Sequence, residues 1–174
     1  MVTSDVNDLV ANAKRVYQDG DYISAARLFG EAASVFQAQG NALDAAEMKN
    51  NQSVALLQSG DAQGSFDAAY GTSMVFFASA DFRRQGMAFA NEASALIELG
   101  RVAEGSQSYK LAADALDKAG EDQMRASVMQ ALAIVQLRKG KALEALLSMQ
   151  LGLAGVKKPT LKQKVLRNLL RLRV

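Results

Sequence analysis

The chain has no cysteine, no histidine and no tryptophan, and its 174 residues contain one proline, Pro159. Each absence removes a class of chemistry. Without cysteine there is no disulfide framework and no thiolate nucleophile. Without histidine the commonest metal ligand is gone, and so is the usual general acid or base near neutral pH. No Ser–His or Cys–His pair can form, and no Gly-x-x-x-x-Gly-Lys-Ser/Thr phosphate loop occurs. The sequence therefore reads as non-enzymatic, with no metal and no cofactor. No apolar run approaches the roughly 20 residues of a membrane span. The opening Met-Val-Thr-Ser-Asp-Val-Asn-Asp has neither the basic start nor the apolar stretch of a signal peptide, so a cytoplasmic location is expected. Aromatics are only 6% of the residues, while alanine and leucine, both strong helix formers, are abundant. Nothing before Pro159 forces a helix to break. The fold class read from these residues is all-α.

What is present is periodic. Glycine stands at 20, 40, 60, 100, 120 and 140, and the one break in the series is Ala80. The clearest self-alignment is at a shift of forty. Five residues after Gly20, Gly60, Gly100 and Gly140 come the small residues Ala25, Ser65, Gly105 and Ala145. Nine after come Phe29, Ala69, Tyr109 and Met149, and sixteen after come Phe36, Phe76, Leu116 and Val156. Small and large residues alternating at spacings of three and four mark one face of a helix. A second helix type, with Asn51 and Asn91 in equivalent places, fills the alternate segments. Glycine ends one helix and a capping residue starts the next. The spacing predicts helices over 4–18, 22–38, 42–58, 62–78, 82–98, 102–118, 122–138 and 142–154, with a ninth over 160–173. Connections this short force antiparallel neighbours. The hairpins are then 4–38, 42–78, 82–118 and 122–156, making a repeat domain over 1–156, with 157–174 a basic amphipathic capping helix.

These residues resemble the tetratricopeptide repeat. Gly20-Asp21-Tyr22, Ala25, Phe29 and Ala32 look like its inter-helix turn and second helix; Asn51, Ser53, Leu56 and Gly60 look like its first helix. The period is 40 where the family's is 34, as in SNAP-like and kinesin-light-chain-like relatives. The proline that often ends a repeat is missing. The resemblance implies a right-handed superhelix of four antiparallel hairpins plus the capping helix, binding a protein or peptide in a concave groove lined by the first helix of each hairpin. On that basis the groove-facing candidates are Lys14, Glu47, Asn50, Val54, Met87, Ala90, Ser94, Gln130, Ile134 and Arg138. Co-chaperone members clamp a C-terminal carboxylate with lysine and asparagine. Here Val10 stands where a clamp lysine is expected and Lys14 where its asparagine would be, so the chain departs from that arrangement.

Charge is unevenly distributed. Residues 157–174 hold seven cations (Lys157, Lys158, Lys162, Lys164, Arg167, Arg171 and Arg173) and no acid, leaving 13 of the 20 cations against all 18 acids in the rest, a net of −5. Leu161, Val165, Leu169 and Leu172 form one apolar stripe in the tail, widened by Leu166 and Leu170. The expected role is a cap whose leucine face covers the last hairpin while its cations stay in water. The alternative is a surface for an anionic membrane or an acidic partner, with Lys157, Lys158, Lys162, Lys164, Arg167 and Arg171 making the contact. Nucleic acid is disfavoured, because the segment has no aromatic to stack on bases. A homo-oligomeric structural module is the other reading of the apolar faces.

Overall fold

The computed structural model describes the backbone of residues 2–171 and the side chains of residues 6–169. Among the described residues every regular element is an α-helix: α1 (Val2–Gln18), α2 (Tyr22–Ala38), α3 (Ala42–Gln58), α4 (Ala62–Ala69), α5 (Thr72–Ala78), α6 (Phe82–Glu98), α7 (Val102–Lys118), α8 (Asp122–Arg138), α9 (Ala142–Ala154) and α10 (Leu161–Arg171). Leu172 and Arg173, expected at the end of the last helix, lie outside the described residues.

Seven connections share one construction, a tight C-terminal turn followed at once by a new N-cap. After α1, the Gly20 N–H donates to Tyr17 O and the Asp21 N–H to Val16 O, closing a Schellman motif. Asp21 then turns its carboxylate onto the Ser24 N–H, 3.1 Å away, and starts α2. Asn41, Asp61 and Asp81 cap α3, α4 and α6 in the same way. Arg101, Glu121 and Lys141 occupy the same place without a side-chain cap. The turn needs a left-handed residue, and the glycines of the grid supply it with φ between 70° and 91°. Ala80 takes the same conformation, φ 54°, as the one non-glycine with positive φ among the described residues. A Cβ in that region costs roughly 1–2 kcal/mol, partly offset by alanine's smaller loss of freedom on folding. Ala80→Gly should therefore raise the unfolding free energy by about 0.5–1 kcal/mol in urea titrations. An unchanged or lower midpoint would contradict this.

The expected helix over 62–78 is in fact two. Tyr70 leaves the helical region with ψ 129°, and Gly71 follows with φ 79°. Glycine adopts this conformation without a steric penalty, which no other residue at 70–71 of a copy would share except Gly30 at the equivalent of Tyr70. The broken ladder is partly satisfied by Thr72, whose hydroxyl donates to Ala69 O at 2.6 Å.

Packing joins consecutive helices from α1 to α4 and from α5 to α10, with further contacts of α3 to α5 and α6 and of α4 to α6. Helices α6 and α7 run antiparallel: Gly105 near the start of α7 faces Ile97 near the end of α6, whereas Leu116 near the end of α7 faces Gly86 near the start of α6. Small residues set the closeness. A Cβ on Gly86 would stand 2.6 Å from Leu116 Cγ, and one on Gly152 2.7 Å from Met129 Cβ. The core is correspondingly rich in alanine, with Phe76, Leu116 and Leu132 as its fully buried large side chains. Buried polar pairs also join neighbouring helices: Ser53 to Ser65 at 2.9 Å and Ser148 Oγ to Gln136 Oε1 at 2.8 Å.

Candidate binding groove

One face of the alternate helices α1, α3, α6 and α8 carries two open depressions built from the same repeat positions. The first, of about 300 Å³, is bounded by Lys14, Tyr17 and Gln18 of α1, Asn51 and Val54 of α3, and Phe29 of α2. The second, of about 490 Å³, lies between the end of α3 and helices α6, α7 and α8, with Gln58, Ser94, Glu98, Tyr109, Ile134 and Arg138 among its walls. Lys14, Val54, Ser94 and Ile134 are each forty residues apart, as are Gln18, Gln58, Glu98 and Arg138. Phe29 and Tyr109, equivalent positions of α2 and α7, line the two depressions.

Helical spacing explains why these side chains share a face. Positions 14 and 18, or 134 and 138, are one turn apart. In the second depression the hydroxyl of Ser94 donates to Ala90 O (2.9 Å) and pairs with the Tyr109 hydroxyl (3.0 Å), so the wall between α6 and α7 is fixed in place. Ile97 and Ile134 make the surface partly apolar, and Glu98 and Arg138 give it one charge of each sign. Such a surface suits a peptide with both apolar and polar side chains.

The structure therefore brings together Lys14 and Val54 in one depression and Ser94, Ile134 and Arg138 in the other. The remaining groove candidates are placed differently. Asn50 is only 8% exposed, with its Oδ1 3.2 Å from Thr72 Oγ1, so it is part of the interior between α3 and α5. Glu47 is half-buried and its carboxylate holds Arg84 of α6 at 2.9 Å. Arg84 also bonds Asp81 at 2.6 Å and stacks over the Phe76 ring at 5.1 Å. The backbone N–H of Arg84, and secondarily its guanidinium, hold the Asp81 carboxyl below the usual carboxylate range. The Asp81 carboxylate raises Arg84 above the ordinary arginine value, with Glu47 adding to it. This trio ties α3 to α6 and leaves Glu47 engaged. Met87 is exposed and Ala90 half-buried, and neither lines the two depressions. Gln130 lines a third, of about 210 Å³, between α8, α9 and α10.

Gln18, Asn51, Gln58, Glu98 and Tyr109 line the groove but are absent from the sequence-derived candidates. The periodicity carries the signal for three of them: stepping back by forty from Arg138 reaches Glu98, Gln58 and Gln18.

The tail departs from expectation. Thr160 and Gln163 form a reciprocal capping box, Gln163 N to Thr160 Oγ1 at 3.3 Å and Thr160 N to Gln163 Oε1 at 2.8 Å. The α10 side chains that line the depression against α8 and α9 are Lys162, Gln163 and Leu166, not the leucine stripe. Leu161, Val165 and Leu169 are exposed. The stripe that was expected to cover the last helices thus faces away from them, because the short 155–160 connection and the Gln123–Gln163 bond fix the rotation of α10. Lys157, Lys158, Lys162 and Lys164 are exposed and Arg167 is half-buried; the side chain of Arg171 lies outside the described residues.

Among the described residues no group of three or more acidic side chains is placed to hold a metal ion, and no helix is long and apolar enough to cross a membrane. No family model matches the chain, and no curated protein matches it.

Proposed function

We propose that the chain is a tetratricopeptide-like adaptor: a right-handed superhelix of four hairpins (4–38, 42–78, 82–118 and 122–156) that binds a peptide or partner helix along its first helices, without catalysis. The observation that carries this reading is the forty-residue register of the groove. Lys14, Val54, Ser94 and Ile134 line it at one repeat position, and Gln18, Gln58, Glu98 and Arg138 at another. A strip that repeats with the fold is matched to an extended ligand crossing several helices, and its mixed chemistry favours a partly apolar peptide.

The test is selection of a displayed random-peptide library against the purified chain. Selected peptides should bind Ile134→Glu/Arg138→Glu at least about tenfold more weakly than the parent protein, a change of about 1.4 kcal/mol. They should bind Lys49→Ala/Gln52→Ala, altered in the depression between α2 and α3, as tightly as the parent. Equal loss in both variants would remove the groove reading.

A second reading, self-assembly, is favoured by Leu143, Leu147 and Leu151, exposed at successive turns of α9. It requires a concentration-dependent rise in scattering mass that Leu147→Glu abolishes.

A further inference from the structure

Helix α10 follows α9 as the first helix of another pair would, and packs against it only lightly. Gln123 of α8 donates to Lys158 O at 2.8 Å and accepts from Gln163 at 2.9 Å, and Leu166 closes the depression shared with Gln130 and Met149. Earlier first helices are covered by the helix that follows: Gly86 by Leu116 of α7, Met129 by Gly152 of α9. In the forty-residue register Val165 corresponds to Ala45 and Gln85, which are 2% and 9% exposed, and to the part-buried Arg125; Leu169 corresponds to the buried Met129, the part-buried Phe89 and the exposed Lys49. On α10 the same positions are 52% and 57% exposed, and Leu161, one turn earlier, is 78% exposed. Leu161, Val165 and Leu169 thus form an exposed apolar stripe along α10.

The border of the stripe has one sign. At about 100° per residue, Lys162 and Lys164 flank it on opposite sides. Lys157 and Lys158 are exposed just before it, and residues 157–174 contain seven cations and no acid. Two copies of the chain joined stripe to stripe would bring two uncompensated cationic segments together, which argues against self-pairing. Among the described residues Leu166 is turned inward, which leaves the exposed stripe narrower than the broad apolar arc with which a helix sinks into a bilayer surface. We propose that the open face of α10 is the seat for one acidic amphipathic helix of a partner protein, lying on α10 as α9 lies on α8. Its apolar side would meet Leu161, Val165 and Leu169, and its carboxylates would meet Lys162 and Lys164.

The probe is a synthetic amphipathic peptide of leucine, alanine and glutamate, read by fluorescence anisotropy against the full chain. Controls are an isomer with the leucines scrambled and a version with lysine for glutamate. The patterned acidic peptide should bind at least about tenfold more tightly than either control. Binding should disappear in Val165→Asn/Leu169→Asn and fall about tenfold in Lys162→Glu/Lys164→Glu. Both pairs are at the surface, and unchanged circular dichroism verifies their folding. The proposal is overturned if the three peptides bind alike, or if the stripe variant binds the acidic peptide unchanged. It is equally overturned if phosphatidylserine vesicles bind the chain while the peptide does not, or if light scattering shows a dimer that the stripe variant dissolves.

Discussion

Phe76→Ala is expected to lower the unfolding free energy by about 3–5 kcal/mol, the range for emptying a fully buried aromatic site. Phe76 is completely buried and packs with Ala46 of α3 and Ala88 of α6. Alanines cannot move in to fill the space, so most of the cavity should persist. The substitution also removes the ring beneath Arg84, whose guanidinium lies 5.1 Å from its centroid, a contact worth about 0.5–1 kcal/mol. Phe36 occupies the same repeat position forty residues earlier but is half-buried. Phe36→Ala should therefore cost markedly less. Urea denaturation of the two variants checks the ranking, and a Phe36 loss equal to or above the Phe76 loss would contradict the packing described.

Leu116→Ala, at the next equivalent position, should cost about 2–5 kcal/mol by itself. Its partner is Gly86, where a Cβ would stand 2.6 Å from Leu116 Cγ and 3.1 Å from Ala112 O. In the parent chain Gly86→Ala overpacks this contact and should destabilise by about 1–3 kcal/mol. In the Leu116→Ala background the clashing methine is gone. The added methyl enters the space it leaves, and alanine gains up to about 1 kcal/mol over glycine in helix propensity. The double variant should then be more stable than Leu116→Ala alone, and a double-mutant cycle should give a coupling of about 1–3 kcal/mol. Additive losses would show that α6 and α7 do not interlock at this point.

Much of the architecture was legible because the turns are spelled locally. A left-handed residue every twenty positions marks seven helix boundaries, four of them with a side-chain cap beside it, and even Ala80 obeys the backbone rule that the glycines announce. The break at Tyr70-Gly71 was not legible. Gly64, Gly86, Gly105 and Gly152 sit inside helices without breaking them, so glycine alone does not mark a break. Half of the groove was legible. Periodicity places Lys14, Val54, Ser94, Ile134 and Arg138 on the lining face. It does not tell position 50 from position 51, which differ by about 100° of rotation and lie on either side of the boundary between interior and groove. Asn50 falls inside and Asn51 outside because Thr72, freed by the broken helix, lies beside Asn50. The direction of the tail's stripe depended on the rotation set by Gln123 and Gln163, an interaction over forty residues that amphipathicity does not encode.

Hydrogen exchange with and without a library-selected peptide tests the groove most directly. The account predicts slowed exchange on binding in the second halves of the first helices, around residues 14–18, 51–58, 94–98 and 131–138, with α2 and α9 unchanged. Protection confined to the α2–α3 depression, to the exposed leucines of α9, or to no segment at all would contradict it.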